Sequence, residues 1–439
     1  MNKNYLQIKE KLSQYPIQAL AEQTGFQKRK PKKIEAVDFL AGSFDALGQG
    51  DLKALMIAKA ISYGNQTTVS RKAIDNKLSY RHEGFVQQFF EQVLVQKLHS
   101  SNNQDNSLFS FFKGVFVNDS SCLKMPENLS ALFPGPHSHN GQCATARIQL
   151  RLDLLAHQYS HIEIMSYRDN DQKYATQLAR QTQAGELNIF DLGYTVLDAL
   201  EQMAQKEAYF LCRRKFGTHI FHPKSGKPID LLKTLKRLYQ RGINHLDWQV
   251  LIGAKKRLPL RLVIQRVPQA VYKQRLEKAQ NDRHQKANHS DEYLQLLAWT
   301  LLITNVPQQI WKNTQVFKAY QFRWRIEIIF KCWKSKFQCQ RIFNNKRWIR
   351  PPAAMIFLYL LLTWLTLFFV PLYKLFMQRV WDKHQKWISI FKFADAVNER
   401  FEKVVFNDLP DELVDYVAYF CSYKKRKDRL NYLEYLYMS

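Results

Sequence analysis

Two aspartates each close an apolar run: Asp119 in VFVND and Asp191 in NIFDLGY. An acid at the end of a buried strand is costly without a cation, although capping the turn or helix that follows is an ordinary alternative for Asp. A third acid stands in YQFRWRIEIIFKCWKSK (residues 320–336), where Glu327 is surrounded by Arg323, Arg325, Lys331, Lys334 and Lys336. Either Glu327 forms routine helix ion pairs with Arg323 and Lys331, or its partner does not belong to this chain. On one continuous helix, Tyr320, Arg323, Glu327 and Lys334 fall at roughly 0°, 300°, 340° and 320°, with Lys331 at about 20°. That is a polar stripe bordering an apolar face made by Phe322, Ile326, Ile329, Phe330, Trp333 and Phe337. Ion pairs along it would each contribute only about 0.2–0.5 kcal/mol.

The elements that must carry these acids can be read from periodicity. LFSFFKGVFVND alternates and reads as a strand ending at Asp119. ATARIQLRLDLLAH (144–157) and HIEIMSY (161–167) read as a hairpin, and LNIFDLGY (187–194) as a buried strand ending at Asp191. AYFLCRR (208–214) is a further strand, with helices expected over 172–181 and 196–206. Three early strands followed by alternating helix and strand predict an α/β sheet with an antiparallel start. Residues 1 to about 108 read as helices, with Ser70 placed to cap a short one. WQVLIGAKKRLPLRLVIQRVP (248–268) reads as a β-rich basic insert, and LAWTLLITNVP (297–307) as another apolar strand. The tail after Lys374 reads as helical and basic, with KKRKDR at 424–429.

Composition narrows the partners. The 439 residues hold 65 Lys and Arg against 38 Asp and Glu, a net charge of +27, with basic residues along the whole chain. So large an excess calls for a polyanion, and nucleic acid is the commonest one; a generally basic soluble protein and an anionic membrane surface are the alternatives. The basic KRKPKK (28–33) flanks the N-terminal helices, an arrangement suited to DNA docking. Six cysteines without a CxxC, and no apolar signal core at the start, fit a reducing cytosol. His157 with His161, and His219 with His222, lack a zinc-ligand partner pattern. The uncharged run from Ala353 to Tyr373 has the length of a membrane span. Pro371 within it and the soluble character of the rest favour a buried core helix over a membrane-anchored basic protein.

Tyr320-xx-Arg323-xxx-Glu327-xxxxxx-Lys334 resembles the Tyr–Arg–Glu–Lys signature of the DDE transposases of bacterial insertion sequences, in the insertion-sequence-four group. VNDSS resembles the first acid motif of that group, and FDLGY followed by AYFLCRRK the second. The resemblance implies an α/β, ribonuclease-H-like catalytic core interrupted by a β-rich insertion, with helical N- and C-terminal regions. The expected layout is a helical DNA-binding domain over 1–108, the first part of the core over 109–214, the insertion over 215–316, the final core helices over 317–373, and a basic helical assembly tail over 374–439. Asp119, Asp191 and Glu327 would then be the catalytic acids, holding Mg²⁺ or Mn²⁺, two ions per site, for in-line attack on phosphorus.

The resemblance further implies that Tyr320 and Arg323 hold phosphates near a flipped base, while Lys334, Lys331 and Arg213 contact DNA strands. Trp299 is either the aromatic that stacks on that base or an ordinary core tryptophan. Leu192, after Asp191, departs from the polar or small residue common there. The implied activity is cut-and-paste transposition at terminal inverted repeats, with double-stranded DNA and a homodimeric synaptic complex as partners, cytoplasmic on the nucleoid and without a membrane. A catalytically inactive or regulatory DNA-binding relative is the alternative.

Overall fold

A computed structural model describes residues 3–29, 33–98, 108–138, 141–281, 289–344, 349–404 and 410–423. Six helices come first: α1 (Lys3–Leu12), α2 (Ile17–Gln23), α3 (Ala36–Gly48), α4 (Ala54–Asn65), α5 (Arg71–Lys77) and α6 (Tyr80–Leu98). Four strands follow, β1 (Gly114–Met125), β2 (Pro134–Ser138), β3 (Gly141–Asp153) and β4 (Gln158–Ser166). Then come α7 (Asp171–Gln181), β5 (Glu186–Phe190), α8 (Leu197–Gln205), β6 (Tyr209–Arg213), β7 (Ile220–Phe221), α9 (Leu231–Gln240), β8 (His245–Ile252), β9 (Leu258–Arg266), α10 (Gln269–Gln280), α11 (Asp291–Leu296) and β10 (Trp299–Thr304). The chain continues through α12 (Asn313–Gln321), α13 (Trp324–Ser335), α14 (Arg341–Asn344), α15 (Pro351–Trp364), α16 (Val370–His384), α17 (Ile390–Val404) and α18 (Asp411–Phe420). The fold is mixed α/β, with a mixed sheet and helical flanks.

The chain divides into two compact units. One comprises Met1–Gln104, Ser120–Arg168 and Arg325–Met438; the other comprises Asp105–Asp119 and Asp169–Trp324. In the first unit, Ser70 caps α5 as expected, accepting from the Ala73 amide at 3.2 Å. Asp38, buried on α3, accepts from the Tyr5 hydroxyl and from Lys9 Nζ, both at 2.8 Å, which ties α1 to α3. The β3–β4 hairpin forms in antiparallel register, and β2 pairs along β3. β2 is absent from the sequence reading because PGPHS, with two prolines, reads as loop. Proline is tolerated on an outer strand, where one row of amides needs no partner.

The uncharged run is the middle of a helix from Pro351 to His384 that is long and apolar enough to cross a membrane. Of its most apolar 18-residue window, 89% is buried inside the protein. Phe368 packs on Phe44, Tyr359 on Phe90, and Phe369 on Phe337. Pro371 does not break the helix. A π-turn over Leu365–Phe369 precedes it and absorbs the hydrogen bond that proline cannot donate.

His157 closes the turn between β3 and β4 in a left-handed conformation (φ 49°). Burial, with the charges of Arg325 and Lys374 nearby, pushes its imidazole down to about 3. The unfolded chain takes up that proton near pH 6.5, so the stability it confers is full above 6.5 and is lost as pH falls toward 3, at about 1.4 kcal/mol per unit. The thermal midpoint should therefore fall on acidification below pH 6.5. His157→Asn, which tolerates the left-handed backbone, should flatten that dependence; an unchanged slope would contradict it.

In the second unit the strand order is β1-β5-β6-β10-β9-β8-β7. β1, β5 and β6 are parallel, and β10 runs antiparallel to both β6 and β9. The strands of the insert thus extend the same sheet. The insert also carries three helices: α10 overlaps QRLEKAQNDRHQKANHS (274–290), a polar stretch that reads as helical or loose, while α9 and α11 were not read from the sequence. Arg261, 2% exposed on β9, is held by Asp247 of β8 through Nε and Nη2 at 2.7 and 2.6 Å, and donates to the Val306 carbonyl at 3.2 Å. Removing the counter-charge from a buried guanidinium is strongly destabilising. Asp247→Ala should cost about 3 kcal/mol, read as a lower denaturation midpoint.

Two expectations for the acid-bearing elements need correction. Residues 108–113 form turns rather than strand. β1 starts at Gly114 and runs on through Asp119 to Met125, so Asp119 lies mid-strand. β5 pairs only with Gly114–Asn118, and the other neighbour of β1 in the sheet is β3; SSCLKM alone carries no strand signal. The helix expected from Tyr320 is also broken. Phe322 and Arg323 form a tight turn, their amides bonded to Ala319 and Tyr320 carbonyls, between α12 and α13. Tyr320 and Glu327 therefore sit on different helices, α12 and α13, rather than on one continuous helix. KKRKDR lies outside the described residues.

Candidate active site

The site in the second unit is built on two parallel strands. Asn118 of β1 is in register with Phe190 of β5, so Asp119 and Asp191 follow a matched pair. Extended backbone continues through Asp191 (φ −85°, ψ 177°), keeping the two acids on one face. On the opposite face, Asn118 donates to Asn188 at 3.2 Å, and Asn188 to Thr182 at 3.4 Å, all three buried. This amide bridge between the acid-bearing strands was not visible in the sequence, because VFVND and LNIF are separated by about seventy residues. Gly193 follows closely behind Asp191; a side chain there would meet the Asp171 carboxylate of α7 at 2.9 Å. Leu192 is 39% exposed and makes no demand on the core.

Both acids converge on one cation. Arg323 Nη1 lies 3.9 Å from Asp119 Oδ2 and 3.8 Å from Asp191 Oδ2. The turn that breaks the helix presents this guanidinium, and its side chain is 6% exposed while that of Asp191 is 42%. Tyr320, at the end of α12, donates its hydroxyl to Asp191 Oδ1 at 3.4 Å. Burial pushes that hydroxyl far above its ordinary value, so it stays protonated as a donor. Two guanidiniums, those of Arg213 and Arg323, each lie 5.8 Å from the centroid of the Tyr320 ring. Arg213 ends β6 and is exposed; beside it, burial pushes the Cys212 thiol up to about 12, leaving it inert.

Trp299 is 5% exposed at the start of β10, with the Arg266 guanidinium 5.4 Å from its ring. It is a core residue in this structure. The aromatic that the site does expose is Trp324, at 60%, with Arg323 5.7 Å from its ring. The sequence reading did not single it out, although on a continuous helix Trp324 would fall at about 40°, beside Lys331.

Glu327, Lys331 and Lys334 belong to the first unit. Glu327 is half-buried in the first turn of α13, where the helix dipole favours an acid. Lys331 is exposed, its Nζ 5.3 Å from the Phe391 ring, and Lys334 is exposed on the last turn. Among the described residues, no three His, Cys, Asp or Glu stand close enough to share a metal ion.

Residues 110–367 match the family described as Transposase DDE domain. The transposase of insertion sequence element IS231F from Bacillus thuringiensis subsp. israelensis is 29% identical over 290 residues, 62% of this chain and 60% of that protein. The transposase of insertion sequence element IS1151 from Clostridium perfringens is 27% identical over 373 residues, 80% of this chain and 76% of that one. The chain thus spans about 60% of the length of the first of these relatives. The cryo-EM structure of the piggyBac transposase synaptic complex with hairpin DNA aligns over 95% of this chain and 85% of its own, at 11% identity and a TM-score of 0.42, too distant to define the fold.

Proposed function

The chain belongs to the DDE transposase family, and on that premise we propose that it excises an insertion sequence by cutting DNA at terminal inverted repeats and joins the 3′ ends to target DNA. The observation that carries this is the convergence of Asp119 and Asp191 on one guanidinium. Two carboxylates on adjacent parallel strands, within 4 Å of a single nitrogen, are a hard-oxygen donor set that already surrounds a positive charge. Such a set fits Mg²⁺ or Mn²⁺, with Asp119, Asp191 and Glu327 as the holding residues. Two bound ions would supply Lewis-acid stabilisation of the attacking and leaving oxygens.

The chain's own residues do the rest. The Tyr320 hydroxyl orients Asp191 by donating to Oδ1. Arg323, released from the carboxylates, grips a phosphate in bidentate fashion. Arg213 and Lys334, both exposed, and Lys331 beside Phe391 contact the flanking strands. Exposed Trp324 takes the stacking role first expected of Trp299, since a base needs an open aromatic face. The Tyr–Arg–Glu–Lys spacing supports placing the chain in the insertion-sequence-four group with a ribonuclease-H-like core. The same reading makes it a cytoplasmic, nucleoid-bound protein without a membrane partner, homodimeric when two ends are brought together.

The test uses duplexes built from short inverted repeats flanking the reading frame. Strand cleavage that requires Mg²⁺ or Mn²⁺ and stops with chelator is the expected result. Binding without cleavage, with all three acids intact, would leave a DNA-binding protein that has no catalysis.

A further inference from the structure

The net charge is concentrated. Residues 213–281 hold 17 Lys and Arg against 3 acids, so this stretch supplies +14 of the chain's +27. Two of those acids are engaged locally: Asp230 caps α9, accepting from the Lys233 amide at 2.9 Å, and Asp247 is bound to Arg261. The third, Glu277, is exposed on α10. On α9 and its cap, Lys233, Lys236, Arg237 and Arg241 recur at i, i+3, i+4 and i+8 and therefore share one face. All four are exposed, and among the described residues none of them forms an ion pair. The opposite face is already used, with Leu231 and Leu235 buried. Exposed Tyr239 is covered by the Arg266 guanidinium, 3.4 Å from its ring centroid.

We propose that this face of α9 is a second DNA-docking surface, separate from the acidic site, that holds the target duplex by its phosphates. The inference rests on the transposase reading. A lipid surface fits poorly, because a membrane-binding helix needs its apolar face free. The face covers about 12 Å of helix, over which duplex DNA carries about seven phosphate charges. An exposed row of lysine and arginine neutralises phosphates whatever the base sequence. That suits target DNA, whose sequence varies, better than an end of fixed sequence.

The variant is Lys233→Gln/Lys236→Gln/Arg237→Gln in the full chain, with an unchanged thermal midpoint confirming that it folds. On a random-sequence duplex, the slope of log affinity against log salt should fall in magnitude by about 2–3. On end duplexes in Mg²⁺, cleavage should stay within twofold while strand transfer into plasmid falls about tenfold. Equal slopes would overturn the proposal, as would cleavage and transfer falling together. Binding to anionic vesicles that is lost in the variant while the duplex slope holds would overturn it too. A wild-type protein that fails to cut its ends sinks the transposase reading instead, and the duplex-binding arm still reads α9.

Discussion

Asp191→Asn is expected to lower Mg²⁺-dependent cleavage of an end duplex about 10⁴-fold, equivalent to some 5 kcal/mol of transition-state stabilisation. Its affinity for the same duplex should stay within about threefold. The substitution preserves shape and an acceptor for the Tyr320 hydroxyl, 3.4 Å away, while removing the charge that a cation requires. Asp191 is also the more exposed of the two paired acids, so neutralising it disturbs packing least. Asp119→Asn and Glu327→Ala should behave alike. Binding measured by gel shift and cleavage measured on the same duplex separate the outcomes. If binding and cleavage fall together for Glu327→Ala, Glu327 is an ordinary helix ion-pair residue and not a ligand.

The acids themselves were legible in the sequence because a charged residue interrupting VFV or NIF is conspicuous against apolar alternation. So were the β3–β4 hairpin, α7, α8, β6 and β10, where period and flanking polar residues agree with the final fold. Features set by distant partners were not legible. β1 continues past Asp119 although SSCLKM carries no alternation, with β3 as its neighbour on the side away from β5, and β2 forms from PGPHS because it needs only one neighbour. The break at Phe322–Arg323 has no glycine or proline to announce it. Packing decides it: Phe322 is 2% exposed and T-shaped against Phe109 at 5.3 Å, and Tyr320 is drawn toward Asp191. That break moves Arg323 from a solvent stripe to the two carboxylates. The placement of the site's cation thus follows from a turn that helical periodicity could not predict, whereas exposed Trp324 would have bordered the polar stripe on a continuous helix as well.

Arg323 is where that turn has its largest functional consequence. Its guanidinium stands 3.8–3.9 Å from both carboxylates, so in the chain alone it is their counter-ion. A divalent ion entering the same donor set must displace it. Arg323→Ala should therefore act in two opposite directions. Cleavage should fall about 10³-fold, because the phosphate loses a bidentate partner that the transition state needs. Divalent binding to the DNA-free protein should tighten, because the two carboxylates lose the guanidinium that a divalent ion must otherwise displace. Their attraction to it, screened by water at half-exposed Asp191, is on the order of 1–2 kcal/mol. That corresponds to a roughly tenfold gain in Mn²⁺ affinity. Titration of Mn²⁺ against wild type and variant, followed by thermal shift, reads the second effect without any DNA. A larger Mn²⁺-induced shift in the variant is the expected result. Equal shifts would mean that Arg323 does not compete for the carboxylates, and its position between them would then be a matter of packing alone.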